Sequence, residues 1–249
     1  MICLNEMGFI GAENNRSKAY LQRLFKAGFC LSAGCVLTDP NNVHLPGQNT
    51  SVINKSVNPV LPDDPFMFDP EEDVQSTLLK MNSSVETLPV TDINNPNVLD
   101  YLKSREETVW IFSGVGGNIL KRDVLSIGKR FLHMHPGAVP QYRGSTTFYY
   151  HLIRDRAVTV SAIFLSPGID EGNLILQKTF LPPLDSAKID YFYDPLIRSS
   201  TLLDVIRQYI ASEFVFSPSK QEDVEAMVYY TIHPVLKHLA ILSCDVPVK

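Results

Sequence analysis

The chain has 249 residues, 45% of them apolar and 20% charged, with a formal net charge of −5. That size and balance suit one large domain, or one domain with an extension, that buries its core without staples. The acidic total and the scattered Lys and Arg argue against a nucleic-acid face, and no apolar run approaches the length of a membrane span.

In chain order, "MICLN" reads as a short strand. Residues 17–28 place Tyr20, Leu21, Leu24 and Phe25 on one helical face, with Ser17 as N-cap and Gly28 just past the end. "FCLSAGCVLT" continues as a strand, and residues 39–70, with six prolines, read as a long loop inside the domain. Alternation then resumes. "EEDVQSTLLKM" is a predicted helix, "SVETLPV" a strand, and "PNVLDYLKS" a helix with Pro96 in its first turn. "TVWIFS" is a buried strand and "GGNILKRDVLSIG" a helix closed by Gly128. "RFLHMH" is a strand, "STTFYYHLIRD" a helix and "AVTVSAIFL" a strand.

Strand and helix in turn predict an α/β fold, a Rossmann-like and mostly parallel sheet with helices on both faces. After residue 181 the pattern becomes helical, with "SSTLLDVIRQYIASEFVF" and then "HPVLKHLAIL", which starts at Pro234. The expected organisation is therefore a catalytic α/β domain over 1–181 and a small, mainly helical extension over 182–249. The N-terminus lacks the basic and apolar regions of a signal peptide, so a cytoplasmic location is expected. Cys3, Cys30, Cys35 and Cys244 form no Cys-x-x-Cys pair, and Cys30 and Cys35, in an apolar stretch, read as buried free thiols.

Ligands of such sheets sit beyond the carboxyl ends of the strands, which groups the loops 113–119, 133–145 and 166–172. His133 and His135, two apart on a strand, share one face. Three readings compete for them. They are two metal ligands awaiting a third such as Asp170 or His151, an acid–base site needing an orienting carboxylate, or partners of loop carbonyls. If "AVTVSAIFL" runs parallel to "RFLHMH", Asp170 emerges at the same sheet edge and favours a charged imidazole. Flanked by Gly168 and Gly172, Asp170 is otherwise an ordinary turn residue. The loop "SGVGGNIL" opens backbone amides to a ligand without spelling the dinucleotide fingerprint. His151 reads as packing, His233 and His238 as cap and surface residues, and "DYFYD" (190–194) as an anchor or a pocket wall.

The order His-x-His-Pro, Arg-Gly, and then Gly-x-Asp-x-Gly thirty-five positions beyond His135 resembles the folate-dependent formyltransferases over roughly residues 108–180. The resemblance implies His135 and Asp170 as catalytic residues, with His133 standing where the family carries asparagine. Ser161 matches a Ser or Thr position. Gly117, Asn118, Ile119 and Leu120 match the loop that holds the pterin, and Phe131, Leu165, Ser166 and Pro167 would complete that pocket. It further implies 10-formyltetrahydrofolate as formyl donor, no metal, and a small-molecule amine as acceptor. The expected partners are that amine and at most a second copy of the chain, with no nucleic acid and no membrane. Within that resemblance an acceptor other than glycinamide ribonucleotide or initiator tRNA is expected, since "CLNEMGFIGAENN" does not spell the glycine-rich phosphate loop of the first and the sequence is short and acidic for the second. Two alternatives stand beside this reading: a metal-dependent hydrolase using His133 and His135, and a degenerate folate-binding protein.

Overall fold

The computed structural model describes residues 1–41, 61, 63–183, 186–222 and 225–244. Most of the loop expected over 39–70 therefore lies outside the described residues; 63–70 runs without helix or strand.

A seven-stranded sheet forms the centre, in the order β3-β2-β1-β4-β5-β7-β8. β1 (Ile2–Ala12) is longer than "MICLN" suggests. The polar pair Asn5 and Glu6 falls at an irregularity between Leu4 and Gly8, after which the strand is buried to its end. β2 (Phe29–Leu37), β3 (Ser84–Leu88), β4 (Val109–Ser113) and β5 (Arg130–His135) complete a parallel run. Side chains alternate across it. Phe9, Val109 and Ile111 enter the larger core with α1 (Asn15–Lys26), α2 (Val74–Lys80) and α6 (Asp194–Ala211). Ile10, Trp110 and Phe112 enter the core on the opposite face, with α3 (Pro96–Ser104) and α4 (Arg122–Leu125). Gly8 exists because Trp110 lies over it: a Cβ there would stand 2.6 Å from the indole ring.

Several expectations are corrected. The cap of α1 is Asn14, whose side chain accepts the Ser17 N–H at 3.0 Å, while the Ser17 hydroxyl turns inward to Ser113 Oγ at 2.9 Å. Of the helix expected over 116–128, one turn forms at Arg122–Leu125. Two asparagines hold the preceding segment open, Asn118 donating to the Thr91 carbonyl and Asn94 accepting from the Lys121 N–H, both at 2.7 Å. Cys3 and Cys30 are register partners on adjacent parallel strands, 4.7 Å apart at Cα, and form a disulfide rather than free thiols; Cys35 is free and buried.

The sheet's last two strands change direction. After β6 (Arg143–Gly144) and α5 (Thr147–Asp155), β7 (Val158–Phe164) pairs antiparallel with β5, not parallel as expected. β8 (Leu174–Phe180) pairs antiparallel with β7 and was not expected as a strand, being a half-exposed edge with polar residues along it. The chain then passes through short turns at Ser186–Lys188 and Ile189–Tyr193 into α6. α6 is buried along most of its length and packs on α1. β9 (Val228–Tyr229) pairs with β6, and α7 (Pro234–Cys244) leans on α5. Among the described residues no helix is long and apolar enough to cross a membrane.

Candidate active site

β5 delivers the histidines. Leu132 and Met134 turn into the larger core, so Phe131, His133 and His135 share the other face, as the strand's period of two requires. The His133 and His135 ring centroids lie 6.4 Å apart. His135 is buried, and both of its nitrogens face acceptors. Nε2 lies 2.6 Å from the Tyr142 carbonyl and Nδ1 3.3 Å from Asp170 Oδ2. A neutral imidazole carries one proton and would oppose a lone pair to one of these oxygens. The arrangement is satisfied when Nδ1 also carries a proton, or another cation. Burial pulls the His135 pKa down, and Asp170 and the Tyr142 carbonyl push against that pull.

The turn after β5 is fixed from β7. Ser161, the register partner of His135, donates to the Gly137 carbonyl at 2.5 Å and accepts the Val139 N–H at 3.2 Å; Gln177 donates to the Val139 carbonyl at 2.8 Å. Gly137 has no room for a side chain, because a Cβ would stand 2.5 Å from the Tyr142 oxygen and 2.8 Å from His135 Nε2.

Asp170 arrives by a different route from the one expected. Because β7 is antiparallel, its end lies beside Phe131 and Leu132, where the Leu165 N–H donates to the Phe131 carbonyl at 2.8 Å. The loop's own course brings the carboxylate back to His135. Asp170 adopts φ 51°, a left-handed conformation that Asp tolerates better than most residues, and Oδ2 accepts the Gly144 N–H at 2.8 Å. Gln221 anchors the loop by donating from its side-chain amide to the Asp170 and Gly172 carbonyls, both at 2.7 Å, while Arg143 donates to Gln221 Oε1.

His133 is half-buried, and its Nδ1 is a buried atom with no hydrogen-bond partner among the described residues. Burial and the guanidinium charges of Arg198 and Arg16 hold its pKa well below the ordinary imidazole range. These two arginines, and Gln221, were not identified from sequence. Arg198 lies inside α6, donates to the Met134 carbonyl at 3.1 Å and pairs with Asp194 at 2.8 Å. Arg16, in the first turn of α1, donates to Ser113 Oγ at 3.0 Å and to the Gly114 carbonyl. Beside them opens a cavity of about 350 Å³ whose wall includes Glu13, Asn15, Arg16, Gly114, Asp190 and Asp194. Two acids of "DYFYD" thus line a cavity, while Phe192 and Tyr193 are core.

The residues expected to hold the pterin are divided. Leu120 and Phe131 lie in the smaller core with Leu165 packed on it; Gly117, Ile119 and Pro167 are exposed, and Asn118 and Ser166 half-buried. His151 stacks on Tyr142 at 4.4 Å, and His233 and His238 are exposed.

No family model matches the chain. It is 30% identical over 158 residues to a methionyl-tRNA formyltransferase of Chloroflexus aurantiacus, covering 60% of this chain and 49% of that one. A second methionyl-tRNA formyltransferase, from Wolbachia pipientis, is 32% identical over 114 residues, 44% of this chain and 36% of that one. The chain thus spans about half the length of the curated relatives it matches, or less. Among solved structures, an N-formyltransferase of Helicobacter canadensis in complex with folinic acid and dTDP-3-aminofucose superposes with a TM-score of 0.57. That match has 18% identity and covers 91% of this chain and 71% of the other. A sugar N-formyltransferase from Shewanella gives a TM-score of 0.55 at 12% identity, covering 96% and 87%. The chain is thus similar in sequence to methionyl-tRNA formyltransferases over 60% of its length, and its seven-stranded sheet has the fold of solved N-formyltransferases.

Proposed function

We propose that the protein is an N-formyltransferase that moves a formyl group from 10-formyltetrahydrofolate to the amine of a small molecule. The observation that carries the reading is the His135 ring held between the Tyr142 carbonyl and Asp170. The amine nitrogen attacks the formyl carbon, and the carbonyl oxygen takes up negative charge. Nε2 is committed to Tyr142, so Nδ1–H, shared with Asp170, is the donor free to meet that oxyanion. The tetrahedral intermediate then breaks its bond to the folate nitrogen. The proton lost by the amine passes through a water held by Asp170 to that departing nitrogen. His133 is neutral in this scheme and adds a polar contact, not a charge. The transfer itself needs no metal.

The adjoining cavity is lined by polar and charged groups of both signs, Arg16 with Glu13, Asp190 and Asp194, and its volume suits a small polar molecule. The curated relatives, which are methionyl-tRNA formyltransferases, favour the other acceptor, an aminoacyl-tRNA. Calorimetric titration of the chelator-dialysed protein with a stable 5-formyl reduced folate tests the donor site. Saturable binding supports the reading, and no binding by demonstrably folded protein overturns it. Release of tetrahydrofolate from the 10-formyl donor is then followed with amino sugars, amino-acid derivatives and charged initiator tRNA in parallel. Turnover with tRNA alone would replace the small-molecule acceptor.

A further inference from the structure

We propose that His133, His135 and Asp170 form a binding site for a divalent transition metal of the zinc or ferrous class. This goes beyond formyl transfer and does not rest on it. One ligand atom from each of the three residues lies within 4.8 Å of the other two. The separation of 3.3 Å between His135 Nδ1 and Asp170 Oδ2 is the telling distance. Bonds of about 2.0–2.1 Å at tetrahedral angles set neighbouring ligand atoms about 3.4 Å apart. That edge of the coordination sphere is therefore already in place, and His133 brings a ligand atom within 4.8 Å of both.

The surroundings are those of metal-binding imidazoles. A ligating histidine presents one nitrogen to the metal and donates from the other to a carbonyl or carboxylate, which fixes the tautomer. His135 does this: Nε2 is tied to the Tyr142 carbonyl, with Thr147 Oγ1 at 3.3 Å, leaving Nδ1 turned to Asp170. The carboxylate is likewise oriented from behind by the Gly144 N–H. His133 supplies an independent sign, since its Nδ1 is buried without a partner among the described residues. Two imidazoles and one carboxylate suit zinc or ferrous iron better than magnesium or calcium, which take oxygen ligands. The charges of Arg16 and Arg198 oppose a cation here, and Asp170 and Asp194 offset them.

The metal would occupy the place of the proton between Nδ1 and Asp170, so metal-bound and transfer-competent states exclude each other. The asparagine of the family pattern would remove one of the two nitrogen ligands, so this site depends on the residue by which the chain departs from that pattern.

Zinc titration of the chelator-dialysed full chain, by calorimetry and by visible absorption of the cobalt(II) form, tests the inference. One equivalent should bind with a tetrahedral cobalt spectrum, and H133N and D170N should each weaken it by more than about 100-fold. The double variant His233→Ala/His238→Ala should bind as the parent does, placing the ion away from the surface histidines. No saturable binding, or binding unchanged in H133N, overturns the site. Folate binding by the same H133N sample reports on formyl transfer separately: a variant that loses zinc and keeps folate supports both readings, and one that keeps zinc and loses folate overturns this one alone.

Discussion

Arg198 is the buried charge on which the carboxyl end of β5 rests, and replacing it with methionine removes the charge while keeping much of the volume. Two groups lose their partner together. Asp194, its side chain 18% exposed, loses the guanidinium at 2.8 Å, and the Met134 carbonyl loses a donor at 3.1 Å. Breaking a buried pair from one side costs about 3–5 kcal/mol, because the remaining charge is left in a poor solvent. For a chain of this size that is a fall of about 6–20 °C in Tm. Removing both charges in Arg198→Met/Asp194→Leu should recover most of the loss, leaving the double variant within about 2 kcal/mol of the parent. Equilibrium urea unfolding, followed by the fluorescence of the single, fully buried Trp110, measures all three proteins. A cost below about 1 kcal/mol for Arg198→Met would refute the reasoning, and so would a double variant no more stable than the single.

Asp170→Asn keeps a side chain that tolerates φ 51° and can still accept the Gly144 N–H, but it removes the charge facing His135. Formyl turnover should fall by about 10²–10⁴-fold with reduced-folate affinity nearly unchanged; equal losses in the two assays would make the residue a loop anchor instead. Gly8→Ala drives a methyl to 2.6 Å from the Trp110 ring and should destabilise by about 1–3 kcal/mol or more in the same urea assay. Burial pushes the Glu107 carboxyl up, and hydrogen bonds from Arg105 and Ser32 more than reverse this, leaving its pKa below the ordinary value. A depressed pKa contributes stability that is fully present above the unfolded value, about 4.3, and is lost as pH falls through the folded one. Glu107→Gln should therefore lower stability at neutral pH and flatten its decline in acid, and a parallel acid limb in parent and variant would contradict the assignment.

The parts of this protein that follow a local rule were readable. Pro96 opens α3 because its missing N–H costs nothing there, and the alternation along "RFLHMH" puts both histidines on one face. What could not be read depends on partners distant in the chain. The direction of β7 follows from its pairing, and "LILQKTF" as an edge strand shows no clean alternation of burial. The Cys3–Cys30 disulfide follows from the register of two parallel strands, which composition does not reveal. Arg16 and Arg198 look like ordinary helix residues until the tertiary structure brings them to the histidines. The His135–Asp170 pair was legible for the opposite reason, since its spacing lies within one contiguous stretch. Even so, the parallel strand assumed to deliver Asp170 was not the means by which it arrives.

The hydroxyl of Ser161 has a wider consequence. The turn that follows His135 takes its shape from a residue on a later strand, which is itself clamped by Gln177 from a still later one. The histidine's surroundings therefore cannot exist on the nascent chain before that hairpin has formed and docked. No contiguous fragment ending before residue 180 would carry a working arrangement, and Arg198 on α6 extends the requirement further. The pairing of His135 with Asp170 thus becomes a mark of completed folding: a molecule that stalls on the way holds the residues without their arrangement.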